Sequence, residues 1–279
     1  IVIKDKYKLS KLKTIASTGS PLVQESFNYV YENIKNDIHL ASISGGTDIV
    51  SCFVTGNPKM PVYAGEIQCA ALGMDVDVYD DEGNSIDQKK GELVCKTPFP
   101  SKPIYFWNDK KNIKYLEAYF QKYKNTWHHG DYCEKTKNKG YIIYGRSDST
   151  LNAGGVRFGT AELYRVVENI DNIIESVAVE HNLSNDTEVI LFLKLDLSHK
   201  LNEEFIKLIK LEIKSNLSPK HVPSKIFQVL EIPKTKSGKI VELAIKKIIN
   251  GLEIENKNVL VNPDCLKEYQ NIYHYLNKG

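Results

Sequence analysis

Between Ser147 and Gly159 the chain reads SDSTLNAGGVRFG, a run of small, polar and glycine residues with no hydrophobic period of its own. It limits the fold more than any other stretch. A segment that suits neither a helix interior nor a strand interior must be a linker or exposed turn, so the patterned sequence on either side has to bury two cores. The length suits roughly two domains. The boundary falls near residue 148, which gives domains of 1–147 and 148–279.

The first block opens with an α/β rhythm. Residues 12–18 read as a strand running into a loop, and Ser20 and Pro21 as the N-cap and first residue of a helix ending near Ile34. A short strand from Ile38 to Ile43 then runs into the loop SGGTD. From about residue 60, GEIQCAA, MDVDVYD and GELVCK, separated by turns such as DDEGN, predict a small antiparallel sheet or barrel. A helix near 111–120 precedes WHHGDYCEK and YIIYGR, which form a hairpin about NKG. His128 and His129 are neighbours on a strand, so one faces the core and the other solvent.

The second block predicts a compact α+β unit. Thr160 caps a helix whose apolar face is Leu163, Val166, Val167 and Ile170. Strands follow near 174–180 and 187–195, then a helix at 202–216 and a strand at 226–231. A last helix has Ile240, Leu243, Ala244 and Ile248 on one side, and the remainder is a C-terminal tail.

Charge and cysteine exclude several function classes. Lys plus Arg number 37 against 35 Asp plus Glu, so a net charge of +2 gives no reason to expect nucleic acid or an anionic membrane as partner. The five cysteines are odd in number, widely spaced and never C-x-x-C, which argues against a zinc site or disulfide framework and favours a reducing, cytoplasmic setting. No apolar stretch reaches the length of a membrane span. The first residues, IVIKDKYKLS, are neither an initiator Met nor a signal peptide, so a truncated start is expected.

Five places concentrate polar groups that a core would not want: STGSP (17–21), SGGTD (44–48), HHGD (128–131), GRSD…GGVR (145–157) and KSGK (236–239). Singly, each reads as a turn, a cap or a surface lysine. PKTKSGKI is not a phosphate loop of the G-x-x-x-x-G-K-[ST] form, because Pro233 stands where the first glycine belongs and Ile240 where a hydroxyl must hold magnesium.

Taken in order, the five segments resemble the later motifs of the adenylate-forming superfamily, which includes acyl-CoA synthetases, peptide-synthetase adenylation domains and luciferases. YGRSDSTLNAGGVRFGTAELYRVVE and PKTKSGKI carry the resemblance most fully. NPKMPVYAGEIQCAALGMDVDVYDDEGN, GELVCKTPFPSKPIYFWND, WHHGDY and LSPKHVPSKIFQV look like the branch that activates acetoacetate, rather than acetate or fatty acids. The resemblance covers essentially the whole chain. It implies that 1–147 is the C-terminal part of a large AMP-binding domain, that 148–279 is a mobile lid, and that the family's phosphate loop would lie before Ile1.

The same resemblance implies roles. Gly19, Ser20 and Pro21 match the loop lining the adenine pocket, and Thr47 the catalytic residue beside the α-phosphate. Asp48 matches the acidic partner near Mg2+, where most relatives carry Glu. Asp131 matches the carboxylate that accepts the ribose hydroxyls, a task for an acceptor-only group. Arg146 and Arg157 match nucleotide contacts, Asp148 the hinge, and Gly154 and Gly155 the turn that lets the coenzyme A arm approach closely. Lys239 matches the lysine that bridges acid and nucleotide during adenylation. Ser44, Gly45 and Gly46 stand where acetate enzymes carry bulky aromatics, so the acyl pocket should admit a longer, polar acid, and Trp at position 45 should close it again. The expected substrates are acetoacetate, ATP with Mg2+, and coenzyme A. Another short-chain acid, or a non-catalytic nucleotide-binding remnant, are the alternatives.

Overall fold

The computed structural model describes residues 2–153, 156–183, 187–254 and 257–277. The chain divides into two compact units, Ile1–Ser147 and Asp148–Gly279. It is mixed α/β with several small sheets.

In the first unit, β1 (Thr14–Ser17) and β2 (His39–Ser42) pair in parallel, joined through α1 (Gln24–Tyr29) and a π-helical turn, Val30–Ile34. Ser20 and Pro21 do not open that helix. Gly19 turns the chain at φ +101° and the backbone is still extended at Val23, so the helix starts four residues past Ser20, too far for its hydroxyl to cap it. SGG is not loop either: β3 (Ser44–Gly46) and β4 (Ser51–Thr55) form an antiparallel hairpin, extended by β5 (Cys69–Ala70).

β6 (Val76–Tyr79), β7 (Lys90–Cys95), β8 (Trp127–Lys135) and β9 (Tyr141–Arg146) make an open antiparallel sheet in that order, with α2 (Ile113–Phe120) between β7 and β8 in sequence. It is not a barrel, since β6 and β9, the outer strands, do not pair with each other. The core gathers Ile49, Phe53, Val54, Leu93, Phe99 and Trp127. Neither histidine is solvated: His129 is buried against Phe53, and His128 is half-buried on Glu92.

The second unit begins with the hairpin of β10 (Leu151–Ala153) and β11 (Val156–Phe158). α3 (Thr160–Val167) follows, and the cap belongs to Gly159 rather than Thr160. Gly159 donates its N–H to the Glu162 carboxylate, while Glu162 N–H returns to the Gly159 carbonyl. β12 (Ile173–Asn182), β13 (Thr187–Leu195) and β14 (Lys225–Gln228) form one sheet, antiparallel then parallel, with α4 (Glu203–Asn216) between β13 and β14 in sequence.

The run VILFL in β13 is continuously apolar because both faces of its sheet are covered. Leu191 and Leu193 pack towards α3 and α4, and Ile190 and Phe192 towards α5 (Glu242–Ile249) and α6 (Leu266–Leu276). On α5, Ile245 is buried and Leu243 is exposed, so the apolar stripe sits one residue round from the predicted face. The tail is not loose: α6 contributes Leu266 and a fully buried Tyr269 to the core.

Candidate active site

The parallel register Ser17↔Ser42 places the ends of β1 and β2 side by side, tied further by Ile43 N–H donating to the Ser17 carbonyl. The loop containing Gly19, Ser20 and Pro21 and the hairpin leading to Thr47 therefore leave the same edge. In α/β layers that edge, outside the carboxyl ends of the strands, is where ligands bind.

Thr47 and Asp48 lie exposed in the turn between β3 and β4. Val50 closes it at φ +48°, a costly conformation for a β-branched residue. The Asp48 carboxylate accepts from the Tyr119 hydroxyl, and Tyr119 stacks on Trp127 with ring centroids 3.7 Å apart. Burial and the Asp48 charge both push the Tyr119 hydroxyl up, so it stays a donor.

Asp131 is the most enclosed of the predicted residues. It is 7% exposed, and opposite Arg146 in the β8–β9 register. Ser44 Oγ donates to its Oδ2 at 3.0 Å, and Arg146 Nη1 to its Oδ1 at 3.2 Å. The same guanidinium nitrogen reaches the His129 carbonyl at 2.9 Å. Gly130, at φ +79°, makes room for it: a Cβ there would lie 2.7 Å from Arg146 Nη2. His129 Nε2 is 3.7 Å from Asp131 Oδ2, and burial keeps this imidazole neutral, holding its pKa below the ordinary value against the pull of Asp131.

At the glycines before Thr47 a side chain would meet neighbouring atoms. A Cβ on Gly45 would meet the Ser51 carbonyl oxygen at 2.2 Å and Cys52 Cα at 2.4 Å, and one on Gly46 would meet His129 Cε1 at 2.9 Å. Gly45 is needed for strand pairing, and the space above Gly46 is taken by the imidazole. Trp at 45 is barred by backbone rather than accommodated.

In the second unit, Arg157 Nε donates to Thr150 Oγ1 at 2.9 Å, and Asp148 is exposed. Gly154 and Gly155, which would meet coenzyme A, lie outside the described residues. Lys239 ends a turn bonded to itself. Thr235 N–H donates to the Lys239 carbonyl at 2.9 Å, Lys239 N–H to Thr235 Oγ1 at 3.1 Å, and Gly238 N–H to the Thr235 carbonyl at 2.9 Å. Gly238 sits at φ +83° with nothing near its would-be Cβ. Lys234 and Lys246 pair with Glu175 and Glu180, but among the described residues no carboxylate pairs with the exposed Lys239.

Sequence reading missed the partners. Ser44 was notable only for being small, yet its hydroxyl orients Asp131 from 87 residues away. Tyr119 and Glu92 carried no motif, and no local signal could have joined them to the site.

Among the described residues, no group of three or more His, Cys, Asp or Glu side chains could hold a metal ion, and no helix is long and apolar enough to cross a membrane. No protein-family model matches the chain. Relatives do. The acetoacetyl-coenzyme A synthetase of Rhizobium meliloti (strain 1021) is 52% identical over 93% of this chain and 40% of its own length. The acetoacetyl-CoA synthetase of Gallus gallus is 47% identical over 95% of the chain and 40% of its own length. The solved acetoacetyl-CoA synthetase from Streptomyces lividans superposes with a TM-score of 0.88 at 36% identity, covering 96% of this chain and 42% of that one. The resemblance read from the motifs is thus borne out along nearly the whole chain, which spans about 40% of the length of the curated relatives it matches.

Proposed function

We propose that this chain, a relative of proteins named acetoacetyl-CoA synthetase, carries the ribose acceptor and the mobile lysine of an ATP-dependent acid–thiol ligase. The reaction activates acetoacetate as acyl-AMP with release of pyrophosphate, and then transfers the acyl group to coenzyme A to give acetoacetyl-CoA and AMP. The observation that carries the reading is Asp131, an acceptor-only group aimed by Ser44 and Arg146 beside the carboxyl ends of β1 and β2.

Ribose hydroxyls would donate to Asp131. The base would lie along Gly19, Ser20 and Pro21, with Arg146 and Arg157 on the nucleotide. Thr47 would hydrogen-bond the α-phosphate. Asp48 offers a single carboxylate, which fits a Mg2+ ion that keeps its waters and takes its other ligands from phosphate. Such an ion supplies charge neutralisation between the phosphate oxygens.

Adenylation brings two anions together. The Lys239 ammonium, which pairs with no carboxylate among the described residues, would bridge the acid and the nucleotide as charge shifts in the transition state. The second unit would then turn about Asp148, withdraw Lys239 and present Gly154 and Gly155 to the thiol. One site would run both steps by alternation.

The preference for acetoacetate rests on the relatives, and another short acid is the second reading. A panel of short acids with the full-length protein, read by pyrophosphate and thioester, tests both. Acetoacetate should have the highest kcat/KM. A different best acid supports the second reading, and ATP binding without turnover on any acid supports the non-catalytic one.

A further inference from the structure

Two partly or fully buried glutamates outside the motifs lie on either side of the Ser147–Asp148 link. In the first unit, Glu92 on β7 is 1% exposed and accepts the Ser147 hydroxyl on Oε2. Its carboxylate is itself fixed by Lys122 Nζ at 2.8 Å and by His128 Nε2 at 3.0 Å. Ser147, the last residue of that unit, is thus bound to the middle of its sheet.

In the second unit, α5 binds the other side. Lys246 Nζ reaches the Asp148 carbonyl at 3.3 Å and is held by Glu180 at 2.8 Å. Glu242, one turn earlier, accepts from the hydroxyls of Ser149 and Thr160 and from Tyr164 at 2.6 Å. Tyr164 also accepts the Ala178 N–H at 3.1 Å, which locks this group to β12. α5 begins three residues after Lys239, so the helix that follows the lysine turn also grips the first residues beyond the link.

The backbone has only two soft dihedrals per residue. With the Ser147 side chain anchored on one side and the Asp148 carbonyl on the other, the torsions left between the anchors are ψ of Ser147 and φ and ψ of Asp148. We infer that Glu92, Glu242 and Lys246 are positioning residues that confine the turning of the two units to this one link, so that Lys239 is delivered along a single path. The inference rests on the alternation proposed above and adds to it the side chains that make the pivot sharp.

The test uses the full-length protein with spin labels on bio-orthogonal side chains at exposed Lys89 and Lys207, one in each unit. The wild type should give two narrow distance populations, one with ATP and acid and the other with acyl-AMP and coenzyme A. Ser147→Ala, Glu242→Ala and Lys246→Met should each widen both populations without moving their centres. Turnover should fall about tenfold or more, as expected for a misplacement of order 1 Å. Ser147→Thr and Glu242→Gln keep an acceptor or donor and should stay narrow. Narrow populations in the alanine variants overturn the inference, and so does equal widening in Ser147→Thr and Glu242→Gln, which would make the residues merely structural. A wild type with one ligand-insensitive distance overturns the alternation itself.

Discussion

The polar groups of the first unit are tied to one another across strands, whereas the turn that carries Lys239 is held through its backbone and leaves the ammonium without a carboxylate among the described residues. Asp131 is held by Ser44 and Arg146 from different strands, and the guanidinium is seated over Gly130. Lys239 is fixed through its backbone, and its ammonium has no carboxylate among the described residues. The difference is chemical. On the proposed function, an acceptor that waits for the same ribose at every turnover would gain from preorganisation, while a cation that arrives for one step and leaves for the next would be hindered by a resident partner.

The largest effect should come from the mobile side. In the full-length protein, Lys239→Ala should slow acyl-AMP formation by about a hundredfold or more, the cost of removing one preorganised charge from a transition state. Thioester formation from supplied acyl-AMP should stay near normal. Equal slowing of both steps would mean that Lys239 is no more mobile than Asp131, and the comparison would break.

Asp131→Asn probes the fixed side. It replaces an acceptor-only group with one that also donates, and should raise KM for ATP about tenfold to a hundredfold, from the loss of charged hydrogen bonds worth roughly 1.5–3 kcal/mol. Rate at saturating ATP should fall less. A fall in kcat with KM unmoved would take Asp131 off the ribose.

Glycines give a third, smaller contrast. In the 279-residue chain, Gly45→Ala should destabilise the first unit by about 1–3 kcal/mol, because its Cβ would overlap backbone that has to move. Gly238→Ala meets open space and should cost about 1 kcal/mol, from its positive φ alone. Denaturant unfolding separates the two units, since both tryptophans, Trp107 and Trp127, lie in the first. Equal costs would say that Gly45 is not packed as described.

These contrasts mark how far the sequence could be read. The β8–β9 hairpin was legible because alternation and the NKG turn are local, and β13 was legible as a strand because its residues are β-favouring and apolar. β3 was not, since Ser-Gly-Gly has no apolar pattern and becomes strand only by pairing with β4. α6 had a signal that was passed over: Leu266, Tyr269, Ile272, Tyr273 and Leu276 recur at helical spacing in a polar segment. In the site, residue types revealed which groups could do chemistry. What aims them, such as Ser44 on Asp131 or Ser147 on Glu92, depends on contacts distant in sequence and was invisible. The surroundings of Gly45 and Gly46 were invisible for the same reason: a Cβ on the first would meet the neighbouring strand, and one on the second the His129 ring.

The smallest effect, and the finest test of the contrast between units, is in acid. Burial acts to raise the Glu92 carboxyl, but hydrogen bonds from His128, Lys122 and Ser147 more than offset it and hold it well below the usual range. Glu242 goes the other way: burial raises it, and its neighbours are hydroxyls rather than cations. A depressed carboxyl contributes stability that is present above its unfolded value of 4.5 and is lost as pH falls through the folded one. A raised carboxyl contributes stability that is full below 4.5 and is lost as pH rises through the folded one. On acidification from neutral pH, the Glu242 term should therefore come in first and strengthen the second unit, and the Glu92 term should then fade from the first. Melts followed by tryptophan emission report the first unit, and far-ultraviolet dichroism reports both. Glu92→Gln should flatten the acid loss seen by tryptophan, and Glu242→Gln should abolish the gain seen only by dichroism. If both variants changed the two signals alike, the units would not be titrating separately, and the cation-held and hydroxyl-held glutamates would not be the distinct anchors described.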